Sequence, residues 1–188
     1  FVLLRWLVRR AFYDAVTGLP NRMLLLERLE QALRRMKRRG AQSLALLYVD
    51  LDRFKGINDA YGHHVGDQVL VAVPKAIPKC LRPGDTVARI GGDEFVVLLN
   101  DMPGPSAADP VVQRILAALS VPLISHQGRQ IGCSASIGLA YADSPGETAE
   151  GLLKRADEAM YQAKAQGRAK RLPVQRRPSA ATGRRAPG

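Results

Sequence analysis

A chain of 188 residues, 46% apolar and 24% charged, has the composition of an ordinary soluble enzyme and suffices for one globular domain with a single core plus tails. Its two cysteines, Cys80 and Cys133, match no metal-ligand or redox spacing and read as free thiols in a reducing, cytoplasmic compartment. The formal charge of +11 does not make the folded part a nucleic-acid binder: seven cations and no acid follow Gly167, and taking those seven away leaves +4 for residues 1–167, so the excess belongs to a Pro/Ala/Gly-rich end that reads as a disordered basic tail over 173–188.

In chain order, Phe1–Val8 (FVLLRWLV) is apolar, broken by Arg5 and much too short to span a bilayer. Residues 1–11 read as the end of an upstream linker or signalling helix, with a sensor or membrane segment expected in a longer parent protein, and no signal peptide is apparent. Met23, Leu24, Leu26, Leu29, Leu33 and Met36 fall mostly at helical spacing, which predicts a helix over Asn21–Arg39 capped by Asn21 and stopped by Gly40. Ser43–Asp50 (SLALLYVD) is a near-continuous apolar run, as in a buried central strand. Phe54–Tyr61 is a short helix closed by Gly62. Val65–Leu81 has the pattern of another helix, yet Pro74 and Pro78 fall inside it, and an internal proline costs about 3 kcal/mol. Either that helix is kinked and shortened or this copy is damaged.

Thr86–Ile90 and Phe95–Asn100 flank a Gly-Gly turn and predict a hairpin. A Pro/Gly/Ala loop over Met102–Pro110 leads to a helix from Val111 to Leu119. Val121–Ser125 and Gln130–Tyr141 read as strands paired through the His126-Gln127-Gly128 turn, and Ala149–Gln166 as an amphipathic helix ended by Gly167. The order α-β-α-α-β-β-α-β-β-α predicts an α+β fold, an antiparallel-rich sheet flanked by helices. The domain is expected over residues 12–172.

Asp50 and Asp52 close the apolar strand, where acids are costly unless paired or metal-bound; a strand end meeting solvent is the plainer explanation. Asp93 and Glu94 sit at the hairpin tip beside glycines that let a charged ligand approach the backbone. On its own such a turn is only a hairpin. If Ser43–Asp50 lies beside it, Asp50 and Asp93 converge as hard oxygen ligands suited to Mg²⁺ and to phosphoryl transfer.

The run Asp50-Leu51-Asp52-Arg53-Phe54-Lys55-Gly56-Ile57-Asn58-Asp59-Ala60-Tyr61-Gly62-His63-His64-Val65-Gly66-Asp67, followed by Gly91-Gly92-Asp93-Glu94-Phe95, resembles the GGDEF family of diguanylate cyclases. So does the earlier segment Asp14-Ala15-Val16-Thr17-Gly18-Leu19-Pro20-Asn21-Arg22. The resemblance runs from about Phe12 to Arg168 and joins several separated motifs in the family's order. It implies a palm-like fold similar to class III nucleotide cyclases, and a Mg²⁺-dependent enzyme (Mn²⁺ as the alternative ion) that condenses two GTP into cyclic di-GMP and two pyrophosphates.

By this resemblance Asp50, the Leu51 carbonyl and Asp93 would hold the metal, Asp93 would act as base for the attacking 3′-hydroxyl, and Glu94 would support the site. Asn58 and Asp67 would read guanine, which suits an amide and a carboxylate, although both residue types also cap helices. His63 would line the same pocket. Lys55, Lys164 and Arg168 would hold the triphosphate; the last two also suit a helix C-terminus. Arg82-Pro83-Gly84-Asp85 has the RxxD form and stands where the family places its inhibitory product site, with Arg89 as an auxiliary member. One nucleotide per domain and two per reaction imply a homodimer. The alternative is a weakly catalytic module that binds GTP or cyclic di-GMP. No specific nucleic-acid partner is expected.

Overall fold

A computed structural model describes residues 2–39, 43–142, 146–167 and 171–173. Strand β1 (Ser43–Leu51) lies at the centre of a five-stranded sheet, and all but its first residue are buried. Its neighbours are β3 (Glu94–Met102) and β6 (Ala135–Ala142), both antiparallel to it. Beyond β3 lies β2 (Thr86–Gly91), its hairpin partner, and beyond β6 the short β7 (Arg171–Pro173), which runs parallel to β6 and completes the order β2-β3-β1-β6-β7. Between two neighbours β1 has no free edge, so its apolar run is required by its position.

Alternation along β1 splits the core in two. Ala45, Leu47, Val49 and Leu51 pack towards α3 (Phe54–Tyr61), α4 (His63–Ala76) and α5 (Asp109–Ser120), while Leu44, Leu46 and Tyr48 pack towards α2 (Arg22–Arg39) and α6 (Ala149–Ala165). The fold is thus an antiparallel-rich sheet between two helical layers, as the sequence predicts. The Asn21 cap is also present: its Oδ1 accepts from the Leu24 N–H at 3.1 Å.

Two elements depart from the sequence reading. The region 65–81 is α4 followed by a 3₁₀ turn, Ile77–Cys80, in place of one long helix. Pro74 stays inside α4, and the Ile77 N–H still closes on the Val73 carbonyl beyond it. Pro78 falls at the start of the 3₁₀ turn, where a helix needs no N–H from it. The segment fits both prolines by ending α4 at Ala76 and tightening into a 3₁₀ turn.

The predicted strand 130–141 is two strands. Arg129–Ile131 (β5) pairs with Ile124–His126 (β4) in a separate two-stranded ribbon, and only Ala135–Ala142 joins the main sheet. Gly132 marks the break, because a side chain there would come within 2.9 Å of the Val121 carbonyl. The ribbon therefore folds back tightly before the chain re-enters the sheet. The chain also begins with helix α1 (Val2–Phe12), which leaves Trp6, Leu7 and Val8 exposed; among the described residues no helix is long and apolar enough to cross a membrane. Cys80 and Cys133 are buried free thiols, and burial pushes Cys133 up to about 12. Of the expected tail over 173–188, Pro173 ends β7 and residues 174–188 lie outside the described residues.

Candidate active site

Register brings the two acid sources together. Asp50 on β1 stands directly across from Glu94 on β3 and, on its other side, from Ser136 on β6. The Leu51 N–H donates to the Asp93 carbonyl at 3.2 Å, which docks the hairpin tip onto the end of β1. Asp50, Leu51, Asp93 and Glu94 thus form one cluster from segments more than forty residues apart in sequence.

Asp50 shares the parity of Tyr48 and faces the α6 layer. Its side chain is only 6% exposed, and Oδ2 accepts from Lys164 Nζ at 2.7 Å. The other oxygen, Oδ1, is buried without a hydrogen-bond partner. Burial raises this carboxyl to about 6, and the Asp93 and Glu94 charges add to the rise while the Lys164 ammonium opposes it. Like charges paired directly across a ladder are unfavourable, so Asp50 and Glu94 together call for a cation.

Lys164 reaches this point because α6 lies almost on the sheet. A Cβ at Gly138 on β6 would meet the Ala156 carbonyl at 2.0 Å and the Met160 nitrogen at 2.2 Å. Only glycine permits that approach, and it brings the last turn of α6 over the end of β1.

Glu94 accepts from the Tyr48 hydroxyl. Burial, then the Glu94 and Asp157 charges, hold the Tyr48 phenol well above its usual value, so it remains a donor. Burial also raises the Glu94 carboxyl, and Asp157 and Asp93 add to that rise. Sequence reasoning missed Tyr48 and Asp157. The available signal was the position of Tyr48 two residues before Asp50 in an otherwise aliphatic strand.

Asp52 has a different setting. Ser134 Oγ and Ser136 Oγ each donate to its carboxylate at 2.7 Å, and its own N–H donates to the Ser134 carbonyl. This acid ties β1 to the segment entering β6.

The remaining predicted residues fall in two groups. Asn58 is half-buried on α3, and a side chain at Gly66 would overlap its Oδ1 at 1.9 Å. The α3–α4 corner is therefore closed around Asn58. Lys55, His63 and Asp67 are exposed near this corner. Asp67 also lines an open groove of about 490 Å³ with His64, Gln68, Lys75 and Leu123. Arg168 lies outside the described residues.

The RxxD segment forms a turn in which both Asp85 oxygens are engaged, accepting from the Arg82 and Asn100 N–H groups at 3.0 and 3.1 Å. The Arg82 side chain is exposed. Arg89 points elsewhere: it pairs with Asp14 at 2.9 Å and donates to the Gly92 carbonyl from Nε and Nη2. Burial would raise Asp14, but hydrogen bonds from Thr17 and the Arg89 guanidinium hold it below its usual value. Arg89 thereby fastens the N-terminal loop to the tip that carries Asp93.

The donor chemistry fits a hard divalent cation. Among the described residues no three His, Cys, Asp or Glu side chains form a ready-made cage. Mg²⁺ does not ask for one: it is held by one or two carboxylates plus substrate phosphates and water. Asp50 with its unpartnered oxygen, Asp93 and the Leu51 backbone could supply that set.

A buried strand-end carboxylate beside an acidic hairpin tip has the donor chemistry that a metal-assisted phosphoryl-transfer site would use. The chain matches the family profile "Diguanylate cyclase, GGDEF domain" over residues 11–170 and belongs to that family. It is 45% identical over 165 residues to the bifunctional diguanylate cyclase/cyclic di-GMP phosphodiesterase MucR of Pseudomonas aeruginosa, covering 87% of this chain and 24% of that protein. It is 42% identical over 165 residues to the diguanylate cyclase TpbB of the same species, covering 88% and 38%. The chain therefore spans well under half the length of these curated relatives. The coiled-coil and GGDEF structure of DgcB from Caulobacter crescentus, in complex with c-di-GMP, superposes with a TM-score of 0.81 at 28% identity, covering 91% of this chain and 90% of that one.

Proposed function

We propose that residues 12–172 are a diguanylate cyclase that joins two GTP molecules into cyclic di-GMP, working in the cytoplasm as a homodimer, with residues 1–11 as the end of an upstream signalling helix. The observation that carries this reading is Asp50: a buried carboxylate with an unpartnered oxygen, facing Glu94 across the ladder and beside the Asp93 tip. Its relatives' names support the same activity.

In this reading Asp50, Asp93 and the Leu51 carbonyl hold Mg²⁺, which when bound neutralises phosphate charge. Asp93 takes the proton of the 3′-hydroxyl of one GTP. That oxygen bonds to the α-phosphorus of the second GTP, and the bond to the leaving pyrophosphate breaks. The same step in the opposite sense closes the ring, so two GTP give one cyclic product and two pyrophosphates. Glu94, kept in place by Tyr48, fixes the tip. The Asn58 amide donates to and accepts from the guanine edge, the Asp67 carboxylate accepts from the guanine N–H groups, and His63 lines the same pocket. Lys55, Lys164 and Arg168 bind the triphosphate.

Product inhibition falls on the RxxD turn. Arg82 offers an exposed guanidinium suited to guanine or phosphate, Asp85 shapes the turn, and Arg89 joins only by leaving Asp14. The alternative of a weakly catalytic module that binds GTP or cyclic di-GMP leans on Pro74 and Pro78; α4 accommodates Pro74 and the 3₁₀ turn after it accommodates Pro78, so neither proline supports that alternative.

The test is turnover. The dimeric chain with GTP and Mg²⁺ should yield cyclic di-GMP by chromatography, and Asp93→Ala should reduce it at least about 100-fold. Tight cyclic di-GMP binding by calorimetry without any turnover would select the binding module.

A further inference from the structure

We infer that Lys164 is a resident counter-ion at Asp50, which a divalent cation displaces and so releases towards the nucleotide's phosphates. The inference rests on the diguanylate cyclase reading of this site.

Three observations carry it. First, Lys164 Nζ and a divalent ion require the same carboxylate. Nζ lies 2.7 Å from Asp50 Oδ2, and a bound Mg²⁺ would stand about 2.1 Å from a carboxylate oxygen. Two cations on one carboxylate, in a place largely closed to water, repel each other strongly. Second, Oδ1 of Asp50 is buried and unpartnered. The lysine satisfies half of this carboxylate, and the other half is left for a ligand that brings more charge.

Third, Lys164 is built to leave. It occupies the last turn of α6, its side chain is 32% exposed, and a flexible four-carbon stem can carry the ammonium outward with no change of backbone. The backbone of α6 stays fixed against Gly138, so the released ammonium sweeps only the space next to the metal centre. A triphosphate bound to that centre is the strongest anion within its reach.

The exchange has a thermodynamic consequence. Whatever factor Lys164 takes from metal affinity in the nucleotide-free chain is returned when phosphates draw the lysine away, because coupling between two ligands is reciprocal. Metal and triphosphate then load cooperatively, and the empty site holds itself shut with its own ammonium. A lysine that merely supported Asp50 would behave oppositely, since its removal would loosen the carboxylate and weaken metal binding.

The experiment is a nucleotide-free Mn²⁺ titration of the whole chain, with free ion followed by electron paramagnetic resonance. The signal of interest is the binding lost in Asp50→Asn. Lys164→Met should bind Mn²⁺ on the order of tenfold more tightly than the unsubstituted chain. Equal or weaker binding by Lys164→Met, with Asp50→Asn still abolishing it, would overturn the exchange and leave the metal centre standing. Binding that is absent throughout, or indifferent to Asp50→Asn, would overturn the metal centre itself and the exchange with it. Thermal unfolding checks that the variant folds, and Lys164→Gln, smaller and polar, serves in the same titration if it does not. As a second readout, Mn²⁺ should raise the unfolding temperature of Lys164→Met more than that of the unsubstituted chain at equal concentration.

Discussion

Two acids two residues apart meet opposite fates at the end of β1. Asp52 receives both serine hydroxyls, from positions 82 and 84 residues further along the chain, whereas Asp50 keeps a buried oxygen without a donor. A fully bonded carboxylate is scaffold, and an under-bonded one is poised for a ligand. Ser136 is fully buried, so Ser136→Ala should remove one donor from Asp52 and cost about 1–2 kcal/mol. Urea unfolding should show a lower midpoint with an unchanged slope; no change in midpoint would mean that Asp52 does not depend on this hydroxyl. The sequence placed Asp50, Asp93 and Glu94 together because the signature turn and the apolar strand each have a local pattern. Residue pattern alone left Asp50 and Asp52 alike and only the family resemblance singled out Asp50, since the serines that distinguish the two acids are ordinary residues of a distant segment.

At the scale of elements, the helices and the central hairpin were legible because each carries its own period and punctuation. Val121–Tyr141 was not, because the break between β5 and β6 is imposed by a backbone contact at Gly132, and that contact leaves no trace in hydropathy. Arg89 shows the same limit: the family resemblance makes it an auxiliary member of the product site, and its pairing with Asp14 and the Gly92 carbonyl in the fold has no local pattern to announce it. Helix α4 is the converse case, where the warning in the sequence was correct and its consequence mild. Pro74 removes one N–H from α4, yet the helix continues to Ala76. Pro74→Ala restores that donor at the expense of some unfolded-chain rigidity and should stabilise the domain by about 1–2 kcal/mol. GTP turnover should be unaffected, since Pro74 lies in the last turn of α4, at the opposite end of that helix from its corner with α3. A less stable Pro74→Ala would show that the proline ring itself is needed in the last turn of α4. Gly138→Ala addresses the other helical layer. The 2.0 Å approach of the Ala156 carbonyl leaves no room for a methyl, so α6 must shift; stability should fall by about 3 kcal/mol or more, and Lys164 should lose its register with Asp50.

For the molecule as a whole, the acidic site and the N-terminal clamp give stability opposite dependences on pH. Asp14 is lowered by Thr17 and Arg89 below its model-peptide value of 3.8. It therefore contributes stability above the unfolded value, and that contribution is lost as pH falls through the folded one. Asp50 is raised from 3.8 to about 6. The native chain then holds a proton that the unfolded chain gives up, so its contribution is complete below 3.8 and is lost as pH rises towards and past about 6. Above that range the domain carries a buried charge that only Lys164 answers. With chelator present, Asp50→Asn should consequently be more stable than the unsubstituted chain near neutral pH, by about 2–3 kcal/mol, and the difference should shrink towards zero at about pH 4. Adding Mg²⁺ at neutral pH should stabilise the unsubstituted chain and leave Asp50→Asn unmoved. Urea midpoints across this pH range, with and without the ion, measure both effects. A gap that is constant with pH, or one that favours the carboxylate at neutral pH, would show that the fold supports Asp50 without help from a divalent cation.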